Sequence, residues 1–276
     1  MTLHNLSFAC FALSALPWQI AIAIIPAMHL IIVRNVQDAN CKVETKIIGG
    51  VPVDIKSRPF MLSLHNSEGF ICGASILSSN WGITALHCLV SGRTSNYFVR
   101  AGSNNPYAGG SLHRLRKIYA YNDTRLPYLL SGMLYHDVAL FQVKPRFQFS
   151  STVKAIRLPG EFSTPPRKLH VCGWGYTSIH DNPKVSNVLM GVYVRHTPHE
   201  ICINETPEYK ILVKKEYHLC YGTLGKDSCY GDSGGPLASK NTIYGVVSFG
   251  HNCAVVSGVY ENVSYYRRWI KQITNL

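Results

Sequence analysis

Short runs of apolar and β-branched residues recur along most of the chain, with Gly, Pro, Asn and Ser between them. They fall at 60–64, 70–77, 82–85, 97–101 and 138–143, then at 169–173, 189–195, 217–221, 236–239, 242–249 and 258–260. Strands this short, punctuated by turn residues, predict an all-β barrel or sandwich. Only the end of the chain shows a helical period. There Val263, Tyr266, Trp269, Ile270 and Ile273 recur at i, i+3, i+6, i+7 and i+10, with Arg267, Arg268 and Lys271 on the other side. A C-terminal helix capping the barrel is the expectation.

The N-terminal pattern is different. Residues 8–33 contain no Asp, Glu, Lys or Arg, so 1–33 reads as a secretory signal peptide, with an uncleaved membrane anchor as the alternative. Pro17 and Pro26 interrupt the stretch and no Lys or Arg precedes it, so neither fits fully. Residues 34–46 are short and polar, and the folded part opens at Lys46-Ile47-Ile48-Gly49-Gly50.

Composition narrows the picture. A hydrophobic content of 46% excludes intrinsic disorder. The net charge of +12 attracts polyanions. Its only dense blocks are His113-Arg114-Leu115-Arg116-Lys117 and Lys214-Lys215, so a basic solvated surface is preferred to nucleic-acid binding. Nine cysteines point to an oxidising compartment. No C-x₂-C or H-x₃-H spacing marks a zinc site, and no metal or cofactor is expected.

The chemistry centres on Gly231-Asp232-Ser233-Gly234-Gly235-Pro236. By average residue frequencies a given hexapeptide of this kind turns up in such a chain with odds on the order of 10⁻⁵. The glycines let the backbone fold tightly around Ser233, leaving its hydroxyl and nearby N–H groups free to face one point. A Gly-rich turn holding a buried aspartate is the plainer alternative. The hydroxyl needs a base. His87, in Thr84-Ala85-Leu86-His87-Cys88, is alone no more than a histidine near a cysteine. Asp137, in His136-Asp137-Val138-Ala139-Leu140, heads an apolar strand where an unpaired carboxylate would be costly. Together they supply nucleophile, base and base-orienter in the chain order His, Asp, Ser.

With these residues in place the sequence resembles the chymotrypsin/trypsin family of serine proteases over about residues 47–276. The resemblance is carried by Ile-Ile-Gly-Gly (47–50), Ala-Leu-His-Cys (85–88), Asp-Val-Ala-Leu (137–140), Cys-Gly-Trp-Gly (172–175), Gly-Asp-Ser-Gly-Gly-Pro (231–236) and Gly-Val-Tyr (258–260). It implies two six-stranded antiparallel β-barrels with the active site between them. It also implies a catalytic triad of His87, Asp137 and Ser233, with an oxyanion hole from the N–H groups of Gly231 and Ser233.

By the same resemblance Asp227 lies at the base of the pocket for the residue before the cut, with Gly250 and Gly258 on its walls. Ser248-Phe249-Gly250 contacts the substrate backbone, although many relatives carry Trp where Phe249 stands. A carboxylate in a narrow pocket favours Arg or Lys and repels acids. A surface turn aspartate is the duller reading of Asp227. Zymogen activation is implied too: a cut after Lys46 frees the Ile47 amine to pair with Asp232.

The resemblance further implies disulfides Cys72–Cys88, Cys202–Cys220 and Cys229–Cys253. Cys10 leaves with a cleaved signal, and Cys172 either bridges Cys41 or stays a buried thiol. Many trypsins hold calcium with acidic residues in the loop after the third strand. Residues 102–116 contain no Asp or Glu, so no calcium site is expected. Leu86 and Ser257 replace an alanine and a proline common in the family, and Asn122, Asn204 and Asn262 lie in N-x-[ST] sequons.

The expectation is therefore a secreted, extracellular, monomeric endopeptidase acting on proteins or peptides after Arg or Lys, with protein inhibitors as further partners. A membrane enters only if 8–33 is retained. The alternative is a catalytically silent cationic binding protein on the same fold.

Overall fold

The computed structural model describes residues 47–90, 93–121, 136–176 and 184–276. The expected signal or anchor at 1–33 with Cys10, the expected propeptide at 34–46 with Cys41 and Lys46, and the Asn122 sequon lie outside the described residues.

The first barrel is built from β2 (Met61–Asn66), β3 (Gly69–Ile76), β4 (Trp81–Thr84), β5 (Phe98–Ala101), β6 (Ser111–Ala120) and β7 (Ala139–Lys144). They close in the order β2-β3-β4-β7-β6-β5. The second uses β8 (Lys168–Gly173), β9 (Met190–Thr197), β10 (His218–Gly222), β11 (Pro236–Ala238), β12 (Ile243–Phe249) and β13 (Gly258–Asn262). Its order is β9-β10-β13-β12-β11-β8, and β8 pairs back onto β9. Closure leaves neither sheet with a long free edge. A two-residue β1 (Val51–Pro52) adds to β9 through Val51↔Gly191 and Pro52↔Met190, the one strand outside the two rings among the described residues.

Each barrel fills with its inward positions. Leu62, Leu64, Ala74, Ile83, Val99 and Leu140 are fully buried in the first. In the second, Val171, Val194, Tyr221, Leu237 and Tyr260 pack with Ile47.

Two expectations about elements are corrected. Strand β6 was not foreseen, because its segment reads as a basic block. His113 and Leu115 point inward and are buried, while Arg114, Arg116 and Lys117 are exposed. A register shift between Leu115 and Lys117 hides the period of two. The C-terminal helix is also not the only one among the described residues. Short helices α1 (His199–Cys202) and α2 (Pro207–Leu212) precede β10, and the terminal helix α3 spans Arg267–Thr274. Val263 and Tyr266 therefore lie before α3 rather than on it, buried in the core.

The barrels meet backbone to backbone. The Gly73 N–H of β3 donates to the Ser233 carbonyl at 2.8 Å. A Cβ on Gly73 would stand 2.9 Å from the Gly235 Cα, so only glycine allows this approach. Thr84, the last residue of β4, donates its hydroxyl to the Gly73 carbonyl at 2.8 Å. The loop of Ser233 is thereby fixed against the strands that lead into His87.

Candidate active site

His87 sits in a single 3₁₀ turn, Leu86–Leu89, directly after β4. The neighbouring Cys88 is bonded to Cys72 on β3, which anchors the turn to the barrel. Asp137 precedes β7 and is 4% exposed. Its carboxylate grips His87 twice: Oδ1 accepts the His87 backbone N–H at 2.8 Å, and Oδ2 lies 2.7 Å from Nδ1. The Ser248 hydroxyl donates to the same Oδ2 at 2.7 Å. These donors hold the charge of a carboxylate taken out of water. Burial pulls the imidazole pKa down. The hydrogen bond and charge of Asp137 more than offset this, so His87 ends above the ordinary 6.5.

Ser233 stands on the tight loop that the motif predicts. Gly231 and Gly234 take left-handed backbones at φ +90° and +76°. The N–H groups of Asp232, Gly234 and Gly235 are bonded to Cys229, Val247 and Asp232 carbonyls. Those of Gly231 and Ser233 have no protein acceptor among the described residues. Asp232 is fully buried, its oxygens accepting the Gly175 and Cys229 N–H groups at 2.8 and 3.0 Å. Burial raises its pKa to about 6.

His87, Asp137 and Ser233 share one cavity of about 330 Å³ with Asp227, Ser248, Gly250 and Gly258. Asp227 is 2% exposed, which removes the surface-turn reading. Among the described residues it accepts only neutral donors: the Ser228 N–H at 2.8 Å, the Ser228 hydroxyl at 3.4 Å and the Ala254 N–H at 3.2 Å. Burial raises its pKa to about 7. A Cβ on Gly258 would lie 3.0 Å from its Oδ1, so this wall is open only because the residue is glycine. Behind the wall, Ser257 uses the N–H that a proline would lack. It donates to Glu205 Oε2 at 2.7 Å while its hydroxyl donates to Oε1 at 3.0 Å.

Three disulfides join Cys72–Cys88, Cys202–Cys220 and Cys229–Cys253, and the last ties Ser233's loop to the pocket loop. Cys172 is a buried thiol, free among the described residues, whose Sγ lies 2.8 Å from His170 Nδ1; Cys41, its alternative partner, lies outside the described residues. Cys72 and Cys88 cluster with His87, but their sulfurs are spent in the disulfide and offer no thiolate to a metal.

Sequence reasoning missed two contacts. The Ser248 side chain serves Asp137 as well as lining the pocket. Glu261 of β13, fully buried, accepts the Asp137 N–H at 2.7 Å. A lone acid in the strand Gly-Val-Tyr-Glu-Asn was the available signal.

Comparison with known proteins agrees with this architecture. A family model described as Trypsin matches residues 47–270. Trypsin 5G1 of Aedes aegypti is 35% identical over 238 residues, covering 84% of this chain and 86% of that protein. Hypodermin-A of Hypoderma lineatum is 37% identical over 227 residues, covering 82% of this chain and 86% of its own. Among solved structures, the scabies mite inactivated protease paralogue S-D1 superposes with a TM-score of 0.75 at 25% identity, covering 83% of this chain and 97% of its own. The fold, the motif residues and these likenesses agree: the chain belongs to the trypsin family of serine proteases.

Proposed function

We propose that the chain is a secreted serine endopeptidase that cuts after Arg or Lys and is switched on by cleavage between Lys46 and Ile47. The observation that carries this is the doubly held His87–Asp137 pair in one cavity with Ser233. In this reading Ser233 Oγ attacks the scissile carbonyl while His87 Nε2 takes its proton. The carbonyl oxygen becomes an oxyanion facing the uncommitted N–H groups of Gly231 and Ser233, each worth about 3–4 kcal/mol to the transition state. The C–N bond then breaks, and His87 gives its proton to the departing amine. Water repeats the sequence on the acyl-enzyme. Specificity follows from Asp227, a buried carboxylate whose donors are all neutral, so that a guanidinium or ammonium supplies the missing opposite charge.

Asp232 poses the same question without a cation, and an amine released at Ile47 answers it. Ile47 is already buried in the second barrel's core. Its φ of +27° is strained for a β-branched residue, and cutting the preceding peptide bond abolishes that torsion. The amine pairs with Asp232 while protonated. Its pKa rises beside the carboxylate, so the pair and the activity are lost only as strongly alkaline pH passes the raised value.

The second reading, a silent cationic binder, has the inactivated mite paralogue and the +12 charge in its favour. The full-length zymogen, cut at Lys46 and treated with a fluorophosphonate, separates the two. Stoichiometric labelling at Ser233, with hydrolysis of Arg and Lys amides that Ser233→Ala abolishes, is expected. Verified cleavage without labelling sinks the enzyme reading.

A further inference from the structure

Asp137 sits at a difficult place in the backbone. The preceding residue, His136, lies in the left-handed region at φ +57°, and the Asp137 N–H is bonded to no strand. A buried N–H needs an acceptor. It has Glu261 Oε1, 2.7 Å away on β13.

The rest of the Glu261 carboxylate is equally committed. Oε1 also meets His218 Nε2 at 3.3 Å, and Oε2 accepts the Tyr266 hydroxyl. The His218 tautomer follows from its other nitrogen: Nδ1 accepts the Lys214 N–H at 3.0 Å, so Nε2 bears the hydrogen. Tyr266 gives its proton to Glu261, so its oxygen accepts from His136 Nδ1, 2.9 Å away. One carboxylate from the second barrel therefore holds both residues of the strained His136–Asp137 step. It grips Asp137 directly and His136 through Tyr266.

None of these groups touches the reacting atoms. We infer that Glu261 is a positioning residue: it fixes the His136–Asp137 backbone and so sets where the Asp137 carboxylate meets His87. This rests on the triad reading given above. Without the acceptor, the buried N–H seeks another partner and the left-handed step relaxes. The carboxylate then moves relative to both His87 nitrogens that it holds. Asp227 is untouched, since its partners are Ser228 and Ala254.

The test uses the activated full chain, with kcat referred to sites titrated by fluorophosphonate. Glu261→Ala is expected to lower kcat by about tenfold or more, since a misplacement of about 1 Å can cost up to about a hundredfold. KM for an arginine amide stays within about twofold because the pocket base is intact. The low-field NMR proton of His87 Nδ1–H shifts or disappears. Glu261→Gln keeps an oxygen for Asp137, turns its amide N–H to the Tyr266 oxygen, lets Tyr266 donate to His136 in its other tautomer, and recovers kcat to within about threefold. If Glu261→Ala leaves nothing to titrate, Glu261→Asp serves: it keeps the charge but falls one methylene short, and loses about tenfold in kcat. Unchanged kcat per titrated site with an unmoved His87 resonance, and only a lower Tm, would overturn the inference. A wild-type protein that does not label fails the endopeptidase reading, while the resonance still reports whether Glu261 holds Asp137 in place.

Discussion

Burial raises the pKa of Asp227, whereas burial alone would lower that of His87 and the hydrogen bond and charge of Asp137 reverse the sign. Asp227 is raised to about 7 by burial, and pairing with a cationic ligand needs it ionised. Benzamidine binding at pH 6 is therefore expected to release close to one proton, with affinity falling as pH drops below about 7. Calorimetry in buffers of different ionisation enthalpy measures this. Binding that neither releases protons nor depends on pH would contradict it. His87 must be neutral to act as a base, and its pKa lies above 6.5 because Asp137 outweighs desolvation. The acid limb of kcat/KM for a neutral ester substrate, which does not engage Asp227, should have its midpoint above 6.5. A midpoint below that value would show that Asp137 does not dominate. The candidate triad and pocket residues could be named from the sequence because each sits inside a contiguous motif. Ser248 and Glu261 reach Asp137 across 111 and 124 residues of chain, and no local pattern encodes such contacts.

At the scale of elements, the loop between β5 and β6 is organised around its own cation. The Arg100 guanidinium donates to the Pro106 and Tyr107 carbonyls at 3.0 Å each, and to that of Gly109. With no Asp or Glu in residues 102–116, these carbonyls are committed to Arg100 rather than to an ion. Added calcium is expected to leave Tm unchanged, whereas Arg100→Ala should lower Tm and open the loop to proteolysis. A calcium-dependent rise in Tm would refute this. The strands themselves were largely readable, their ends lying within one or two residues of the apolar runs. Strand β6 was not, since a bulge and an outward row of cations break its alternation. Helix α2 was missed although Thr206 caps it and Pro207 opens it, a signal outweighed by its short length.

In the whole molecule neither barrel holds the candidate site alone. His87 and Asp137 come from the first, Ser233, Ser248 and Glu261 from the second, and bonds across the Gly73–Ser233 seam fix their meeting. Residues 51–160 hold twelve Lys and Arg against four Asp and Glu, so most of the net positive charge lies in the first half of the folded chain. The motifs revealed two halves but not this seam, which depends on two glycines meeting.

The thiol of Cys172, the one free cysteine among the described residues, gives the molecule a memory of heat. While folded, burial holds it up at about 12 and it is inert. Once the chain opens, its pKa falls back toward about 8.5, and the thiolate can attack any of the three bridges. Brief heating at pH 5 should be recoverable and the same treatment at pH 9 should not, unless Cys172 is replaced by Ala. Equal recovery at both pH values would clear the thiol. A buried sulfur outside the three bridges would then decide how long such a protein survives repeated warming, without touching the groups of the candidate site.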